Sequence, residues 1–154
     1  MNGQIKKLNS QVEADMMAEQ GQKLAMIINT ASYERVAFAL GVATAAAAMG
    51  QDVSVLFGYG GVIRLKKGFT DSLGEETNGW IRERIGLLVK KSGISLLSEY
   101  LNMLKKLGGK IYACPTAMEL HGIVVGELVG EVDEVRSVTR FVREDIKDAS
   151  VVYV

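Results

Sequence analysis

The sequence predicts an α/β fold with three layers, α/β/α, around a mostly parallel sheet of about five strands. Short apolar runs of strand length alternate along the chain with longer segments of helix length. This alternation favours a parallel sheet, because each helix crosses over the sheet and returns the chain to the same edge. No internal repeat or low-complexity linker interrupts the pattern between residues 23 and 154, so this range is expected to be a single domain.

Five segments have the length and composition of strands, and each is bounded by polar or turn-forming residues. They are residues 23–29, 52–57, 110–113, 131–135 and 150–154. The first three contain short apolar runs, which are typical of strands buried on both faces. The fourth is a weak strand. The last is rich in β-branched valine, which predicts that it belongs to the sheet and is not a frayed tail.

Helical segments alternate with these strands. They are predicted at residues 33–49, 62–67 (one or two turns), 80–89, 96–107, 115–120 and 137–146. Ser32 and Ser95 are the candidate N-caps of the alanine-rich first helix and of the helix over 96–107. The last helix is predicted to direct Val138, Phe141 and Val142 towards the core.

Two segments stand outside this alternation. Residues 1–22 are predicted to form a helical arm that packs on the domain or on another subunit, because they carry a narrow apolar stripe at helical spacing. The stripe consists of Ile5, Leu8, Val12 and Met16. A short isolated helix is marginal in water, so we expect a homo-oligomer. Residues 68–91 contain four glycines and are predicted to be a mobile excursion.

The excursion is either a solvated, charged loop or a docking surface over the edge of the sheet. Together with the residues just before it, from Arg64 onward, it carries seven basic side chains against four acidic ones. It also holds the only tryptophan of the chain. Trp80 and Arg82 are therefore candidate partner-binding residues, since Trp and Arg are enriched at interface hot spots.

Composition excludes several classes of protein. The 154 residues include 18 basic and 18 acidic side chains, so the chain lacks the basic field of a nucleic-acid binder. The longest apolar run, residues 36–49, is too short to span a membrane. The polar start lacks the apolar stretch of a signal peptide, and a single cysteine forms no internal disulfide. We therefore expect a cytoplasmic protein.

Cys114 is the candidate reactive residue. Ligands of open parallel sheets bind beyond the carboxyl ends of the strands, where residues 29–32, residues 57–61 and the loop at Cys114 should meet. Pro115 at the first helical position places Cys114 at the N-cap, where free amides and the helix dipole would favour a thiolate. Alternatively, Cys114 is a small buried hydrophobic residue. The candidate substrate- or partner-binding residues of these loops are Asn29, Thr30, Phe57, Gly58, Tyr59, Pro115 and Thr116.

Other chemistries are excluded by what the sequence lacks. A tyrosine-phosphatase loop needs an arginine six residues after its cysteine, where Leu120 stands. His121 would lie about two helical turns from Cys114, or roughly 10 Å away, and is interpreted as a surface residue at a helix end. One cysteine and one histidine form neither a dithiol nor a structural zinc site. The glycine turn over 58–61 matches no phosphate-binding motif and indicates a tight turn. Neither a metal nor a cofactor is expected.

Residues 112–123 (YACPTAMELHGI) resemble the cysteine motif of the DsrE/DsrF-like sulfur-relay family. Residues 57–67 (FGYGGVIRLKK) are similar to the aromatic and glycine turn of its peroxiredoxin-like branch, and the likeness extends from about residue 23 to residue 154. Pro115 and His121 depart from the small or methionine residues that are commoner at those places. The resemblance implies a DsrEFH-like fold and a homo-oligomer. It also implies a persulfide on Cys114 and a TusA-like carrier or a rhodanese as partner.

The leading hypothesis is therefore a sulfur carrier or sulfurtransferase that receives sulfane sulfur on Cys114 and passes it to a partner protein. Persulfide exchange needs a nucleophilic thiolate and an accessible position, without a second cysteine or a metal. A non-enzymatic small-ligand or nucleotide-binding module is one alternative. A structural subunit of a larger complex is the other. The sequence does not name the sulfur donor, the acceptor or the oligomer size.

Overall fold

The computed structural model describes residues 5–7, 10 and 21–154. The arm predicted over residues 1–22 therefore falls largely outside the described residues. Within it, residues 5–7 are helical and exposed to solvent.

The sheet has five strands, and every neighbouring pair is parallel. In chain order the strands are Lys23–Ile28 (β1), Asp52–Phe57 (β2), Lys110–Ala113 (β3), Glu134–Val135 (β4) and Ala149–Tyr153 (β5). Their order across the sheet is β4-β3-β2-β1-β5. The predicted fold class is confirmed, and the closing valine-rich segment is a strand that pairs with β1.

In the described part of the chain, five α-helices and two short 3₁₀ segments connect the strands. The helices are Tyr33–Ala48 (α1), Gly79–Lys90 (α2), Leu97–Lys106 (α3), Pro115–Leu120 (α4) and Val138–Glu144 (α5), and the 3₁₀ segments are Tyr59–Leu65 and Val125–Glu127. The first 3₁₀ segment begins three residues before the helical turns predicted at 62–67.

The strand order explains how the helices are divided between the two faces. The chain moves across the sheet in one direction from β1 to β4, so right-handed crossovers place α1 and α3 on one face. These two helices pack against each other. The step from β4 back to β5 runs the other way and places α5 on the opposite face. There the fully buried ring of Phe141 meets Tyr112 edge-on, with 6.2 Å between the ring centroids.

Three local predictions are wrong. Val138 and Val142 are about half exposed, and of the three apolar residues in α5 only Phe141 is buried, because a helix of two turns buries one narrow stripe. Leu96, not Ser95, is the N-cap of α3, and its amide donates to the carboxylate of Glu99 at 2.9 Å. A carboxylate three residues into the helix thus replaces the predicted serine.

The start of α1 is capped by a distant loop. Ser32 is the N-cap residue, as predicted, but its hydroxyl makes no capping hydrogen bond. Instead, the amide of Tyr33 donates to Thr77 Oγ1 at 3.1 Å, and the amide of Ala31 donates to Glu76 Oε2 at 2.5 Å. Thr77 therefore satisfies an amide that the helix start leaves free, while Glu76 binds the amide just before the N-cap.

Arg64 joins the same two regions from inside the fold. Arg64 belongs to the charged stretch that the sequence predicts to be either a solvated loop or a docking surface, and both interpretations are wrong for this residue, because its side chain is only 1% exposed. Its guanidinium donates to the carbonyls of Ala31, Phe69 and Ser72. Burial lowers the pKa of Arg64, and nearby acidic groups oppose that shift. The carbonyl partners compensate for removing the guanidinium from water.

Arg136 forms a cluster of contacts on the face of the sheet that α5 covers. Its guanidinium stacks on the Tyr112 ring, 3.9 Å from the centroid, and pairs with Glu134 at 2.8 Å and Asp145 at 2.6 Å. Burial alone would lower the pKa of Arg136, but hydrogen bonds to both carboxylates raise it above its ordinary value. The same contact lowers the pKa of Glu134. This cluster connects β3, β4 and the end of α5.

Glu134→Gln should lower the melting temperature at neutral pH and remove part of its acid dependence. A carboxylate whose pKa is depressed in the folded state stabilises the fold above its unfolded pKa, about 4.3, and that stabilisation is lost as the pH falls through the folded pKa. Calorimetry between pH 7 and pH 3 should show the two proteins converging in acid. A constant difference over that range would contradict the assignment.

Candidate functional site

The register of the parallel strands brings the residue that follows each of β1, β2, β3 and β4 into a single row at the carboxyl edge. The amide of Gly58 donates to the Ile28 carbonyl at 2.9 Å, and the amide of Cys114 donates to the Phe57 carbonyl at 3.0 Å. The pairing of β1, β2 and β3 thus continues one residue past the ends of the strands. The row consists of Asn29, Gly58, Cys114 and Arg136.

Cys114 is one of the residues that line a cavity of about 280 Å³ at this edge. It follows β3 directly, at the edge that the sequence predicts, but the residue is only 5% exposed. Cys114 is the N-cap of α4, and its carbonyl accepts the Met118 amide at 3.0 Å. Both backbone groups are therefore held, which fixes the position of the Cys114 backbone.

The lining of the cavity is mostly apolar. Its apolar residues include Ile27, Leu56, Ala117 and Val138. Asn29, Tyr59, Thr116 and Tyr153 add polar groups to the lining. Asn29 Nδ2 donates to the Tyr153 hydroxyl at 2.8 Å. No charged side chain of the described part of the chain lines this space.

Gly58 makes the cavity possible. It stands between Asn29 and Cys114 in the row, so its missing side chain leaves the space into which the thiol faces. Its backbone is extended, with φ −106° and ψ 172°, which any residue can adopt. A Cβ there would lie 3.2 Å from Asn29 Oδ1. The backbone conformation therefore does not demand glycine here, and a larger side chain would press on the end of the Asn29 side chain.

Tyr59, Gly60 and Gly61 form the edge of the cavity next to Gly58, which we call the rim. Tyr59 has a positive φ of 29°, which is strained for a tyrosine, and its side chain is 61% exposed. A Cβ on Gly61 would collide with the Ile28 carbonyl oxygen, and one on Gly60 would collide with the Glu76 carboxylate. The glycines therefore allow the 3₁₀ segment to pack directly on the end of β1, as a tight turn requires.

The structure brings four of the predicted binding residues to Cys114 and places the others elsewhere. Those at the cavity are Asn29, Gly58, Tyr59 and Thr116. Phe57 is fully buried and contributes its carbonyl. Thr30 is adjacent and donates to Glu76 at 2.9 Å, while Pro115 is exposed and lines a separate groove.

The excursion over residues 68–91 does not cover Cys114. Its helix, α2, packs beside α1 and α3, and none of its described residues lines the cysteine cavity. Trp80 is 82% exposed, and Arg82 donates to the carbonyls of Glu75 and Thr77. Because Thr77 binds the first turn of α1, the start of α2 nevertheless lies beside the carboxyl edge.

Sequence reasoning missed the residues that β5 and α5 contribute. Tyr153 pairs with Ile27 in the sheet, and Val138 begins α5. Alternation of side chains along β1 and β5 puts Ile27 and Tyr153 on one face. The alternation predicts that Tyr153 lies beside Ile27 only when β5 is known to be the neighbour of β1.

The largest cavity described lies elsewhere, between α1, α2 and α3. Its volume is about 530 Å³, and its lining is mostly apolar. Glu34 stands at one end, where its Oε2 is buried without a hydrogen-bond partner among the described residues.

Within the described residues, no group of three His, Cys, Asp or Glu side chains is arranged to hold a metal ion. No helix in that part of the chain is long and apolar enough to cross a membrane.

Comparison with known proteins agrees with the architecture. The profile of the DsrE/DsrF-like family matches residues 22–150. The YchN protein of E. coli superposes with a TM-score of 0.59 at 15% identity, covering 86% of this chain and 99% of that one. MTH1491, a protein of unknown function from Methanobacterium thermoautotrophicum, gives a TM-score of 0.62 at 17% identity with the same coverages. At these identities the two structures show the fold alone.

With the family profile matching most of its length, the chain belongs to the DsrE/DsrF-like family. No curated protein matches it.

Gly58→Leu should slow alkylation of Cys114 by about tenfold or more, because the new side chain occupies the space through which a reagent reaches the thiol. Iodoacetamide labelling followed by intact mass measures the rate. Gly79→Leu is the matched control, since a Cβ at Gly79 meets nothing within 4 Å. Labelling of Gly58→Leu at the rate of the unaltered protein would show that the thiol is reached by another route.

Proposed function

We propose that this protein is a sulfur carrier, or sulfurtransferase, that accepts sulfane sulfur as a persulfide on Cys114 and passes it to a partner protein. The observation that carries the proposal is the position of Cys114. It is the one cysteine of a DsrE/DsrF-like chain, and it faces a cavity at the carboxyl edge of the sheet.

The reaction needs only this thiol. The Cys114 thiolate attacks the outer sulfur of a donor R–S–SH, the donor's S–S bond breaks, and R–S⁻ leaves and takes a proton from solvent. The product is Cys114–S–SH. In the second half the acceptor thiolate attacks the outer sulfur of this persulfide and releases the Cys114 thiolate.

The cavity suits a persulfide. A second sulfur extends the Cys114 side chain by about 2 Å, the length of an S–S bond. That sulfur would enter the cavity that Leu56 and the hydrogen-bonded pair Asn29–Tyr153 help to line. Apolar walls and the low exposure of Cys114 limit contact with small thiols in solution.

We assign a TusA-like carrier or a rhodanese as the partner, in the cytoplasm, where a lone thiol stays reduced. The surface proposed to receive it combines Tyr59 at the rim with Trp80 and Arg82 at the start of α2. Tyr59 and Trp80 are strongly exposed aromatic residues, the type that dominates interface energetics. Thr77 ties the start of α2 to the carboxyl edge.

A homo-oligomer is the second part of the proposal. A patch of half-exposed apolar residues spans α5 and β5, and it consists of Val138, Val142, Val151 and Tyr153. Contiguous apolar surface of this kind marks association sites. Because Val138 and Tyr153 also line the cysteine cavity, a second copy on this patch would narrow its entrance.

Light scattering should give a mass above that of one chain for the unaltered protein and that of one chain for Val142→Glu. A buried, unpaired carboxylate at an interface costs several kcal/mol of association. Val125→Glu is the control, because Val125 is more exposed than Val142 but lies in the second 3₁₀ segment, outside the patch. A single-chain mass for the unaltered protein would refute the oligomer.

A second candidate function is binding of a small apolar ligand without chemistry. The observation that favours it is the cavity of about 530 Å³ between α1, α2 and α3, which exceeds the cysteine cavity in volume. In that case Cys114 would be incidental.

Cys114→Ser should abolish sulfur loading, because a serine hydroxyl forms no persulfide. After incubation with inorganic polysulfide, the unaltered protein should gain the mass of one or more sulfur atoms, and the serine variant none. The double variant Trp80→Ala/Arg82→Ala should load normally but pass sulfur to a TusA-like carrier several-fold more slowly.

The two variants separate chemistry from recognition. If Cys114→Ser still gains sulfur, or if the unaltered protein gains none, sulfur transfer is wrong and ligand binding becomes the leading function. If the double variant transfers at the unaltered rate, the start of α2 does not receive the partner.

A further inference from the structure

The cavity between α1, α2 and α3 follows one face of α1. Its described lining residues on that helix recur at intervals of three and four between Glu34 and Ala45, which is the spacing of a single helix face. They extend over about 16 Å of the helix axis. The cavity has a volume of about 530 Å³ and shares no described lining residue with the Cys114 cavity. Its shape therefore suits an elongated ligand.

Gly41 keeps the middle of this cavity open. It lies inside α1, and a glycine in a helix interior is less stable than an alanine by about 1 kcal/mol. A Cβ at this position would come no closer than 3.9 Å to the side chain of Tyr100, which is an ordinary contact. Crowding therefore does not require glycine here. The missing side chain enlarges the cavity that Gly41 and Tyr100 both line.

Glu34 brings one carboxylate oxygen to the end of the cavity. Its Oε1 accepts a hydrogen bond from Asn78 Nδ2 at 3.2 Å, which ties the side chain to the start of α2. Its Oε2 is buried and has no hydrogen-bond partner among the described residues. Glu34 is also the only charged residue of the described lining. Burying a polar atom without a partner costs about 1–3 kcal/mol, so we expect a donor from outside the chain.

The nearby arginines do not supply that donor. The buried Arg64 attracts Glu34 electrostatically, but its guanidinium donates to backbone carbonyls. Arg82, near the start of α2, likewise donates to the carbonyls of its own loop. A cationic donor would give Oε2 both a hydrogen bond and an opposite charge, and such bonds are stronger than those between neutral groups.

We infer that this cavity is a binding site for a primary amine carried on an alkyl chain. The ammonium group binds Oε2 of Glu34, and the chain lies along α1 and over Gly41 towards Ala45. The apolar side chains of α2 that line the cavity, Ile81, Ile85 and Leu88, cover the alkyl chain. The inference rests on the second candidate function proposed above, whose ligand class it names.

The test is a calorimetric titration of the full chain with octylamine, octan-1-ol and octanoate, which share a chain length and differ in the charge of the head group. Octylamine should bind about tenfold more tightly than octan-1-ol. Octanoate should bind more weakly than either, because its carboxylate would face Glu34. Glu34→Gln should lower the affinity for octylamine about tenfold and leave that for octan-1-ol within about twofold.

Two further variants separate the position of the site from net charge. Glu83→Gln is the matched control, because it removes an exposed carboxylate of α2 that does not line the cavity. It should bind octylamine like the unaltered protein. Gly41→Leu should abolish binding of both octylamine and octan-1-ol, because the new side chain fills the cavity. Its melting temperature should not fall, since leucine favours a helix interior over glycine.

Equal affinities for octylamine and octan-1-ol, or an unchanged octylamine affinity in Glu34→Gln, would overturn the inference and leave binding of an apolar ligand standing. An equal loss in Glu83→Gln would also overturn it, because the affinity would then follow net charge.

If none of the three compounds binds, the inference and the second candidate function fail together. A lower mass by light scattering for Phe38→Glu, which alters the strongly exposed aromatic residue of the lining, would then identify a second copy as the occupant. Sulfur loading of Cys114 is measured separately, so sulfur transfer can stand or fail independently of this result.

Discussion

The in-register pairing of parallel strands is the constraint on which the candidate site depends. Hydrogen bonding between β1, β2 and β3 continues one residue beyond the strands, so the backbone of Cys114 is held by the Phe57 carbonyl. Asn29 and Gly58 are fixed beside it by the same ladder. A cavity can form in this row of residues if one of them has no side chain. Gly58 is that residue.

Local signals predicted the strands and most of the helices, and also the place of Cys114. Apolar runs of strand length, Pro115 at a helix start and the glycine turn are each read from adjacent residues, and each stands where it was expected. The contributions of Tyr153 and Val138 were not predicted, because they depend on which strands are neighbours. Strand order is a property of the assembled sheet.

Charge was the least reliable sequence signal. Arg64 and Arg82 occur in the same basic stretch, yet one is buried among carbonyls and the other binds its own loop. Composition does not distinguish a solvated arginine from one that joins two loops. The cap of α1 by Glu76 and Thr77 was hidden for the same reason, since more than forty residues separate the partners.

The fixed backbone of Cys114 has a mechanical consequence for a relay. Its amide and its carbonyl both make hydrogen bonds, and the residue is 5% exposed. The thiol is therefore not carried on a flexible segment that could move towards a partner. A persulfide would extend its reach by about 2 Å only. In the relay proposed above, the exchanging partner therefore has to approach Cys114: its own thiol must be carried on a slender, protruding segment that enters a cavity of about 280 Å³.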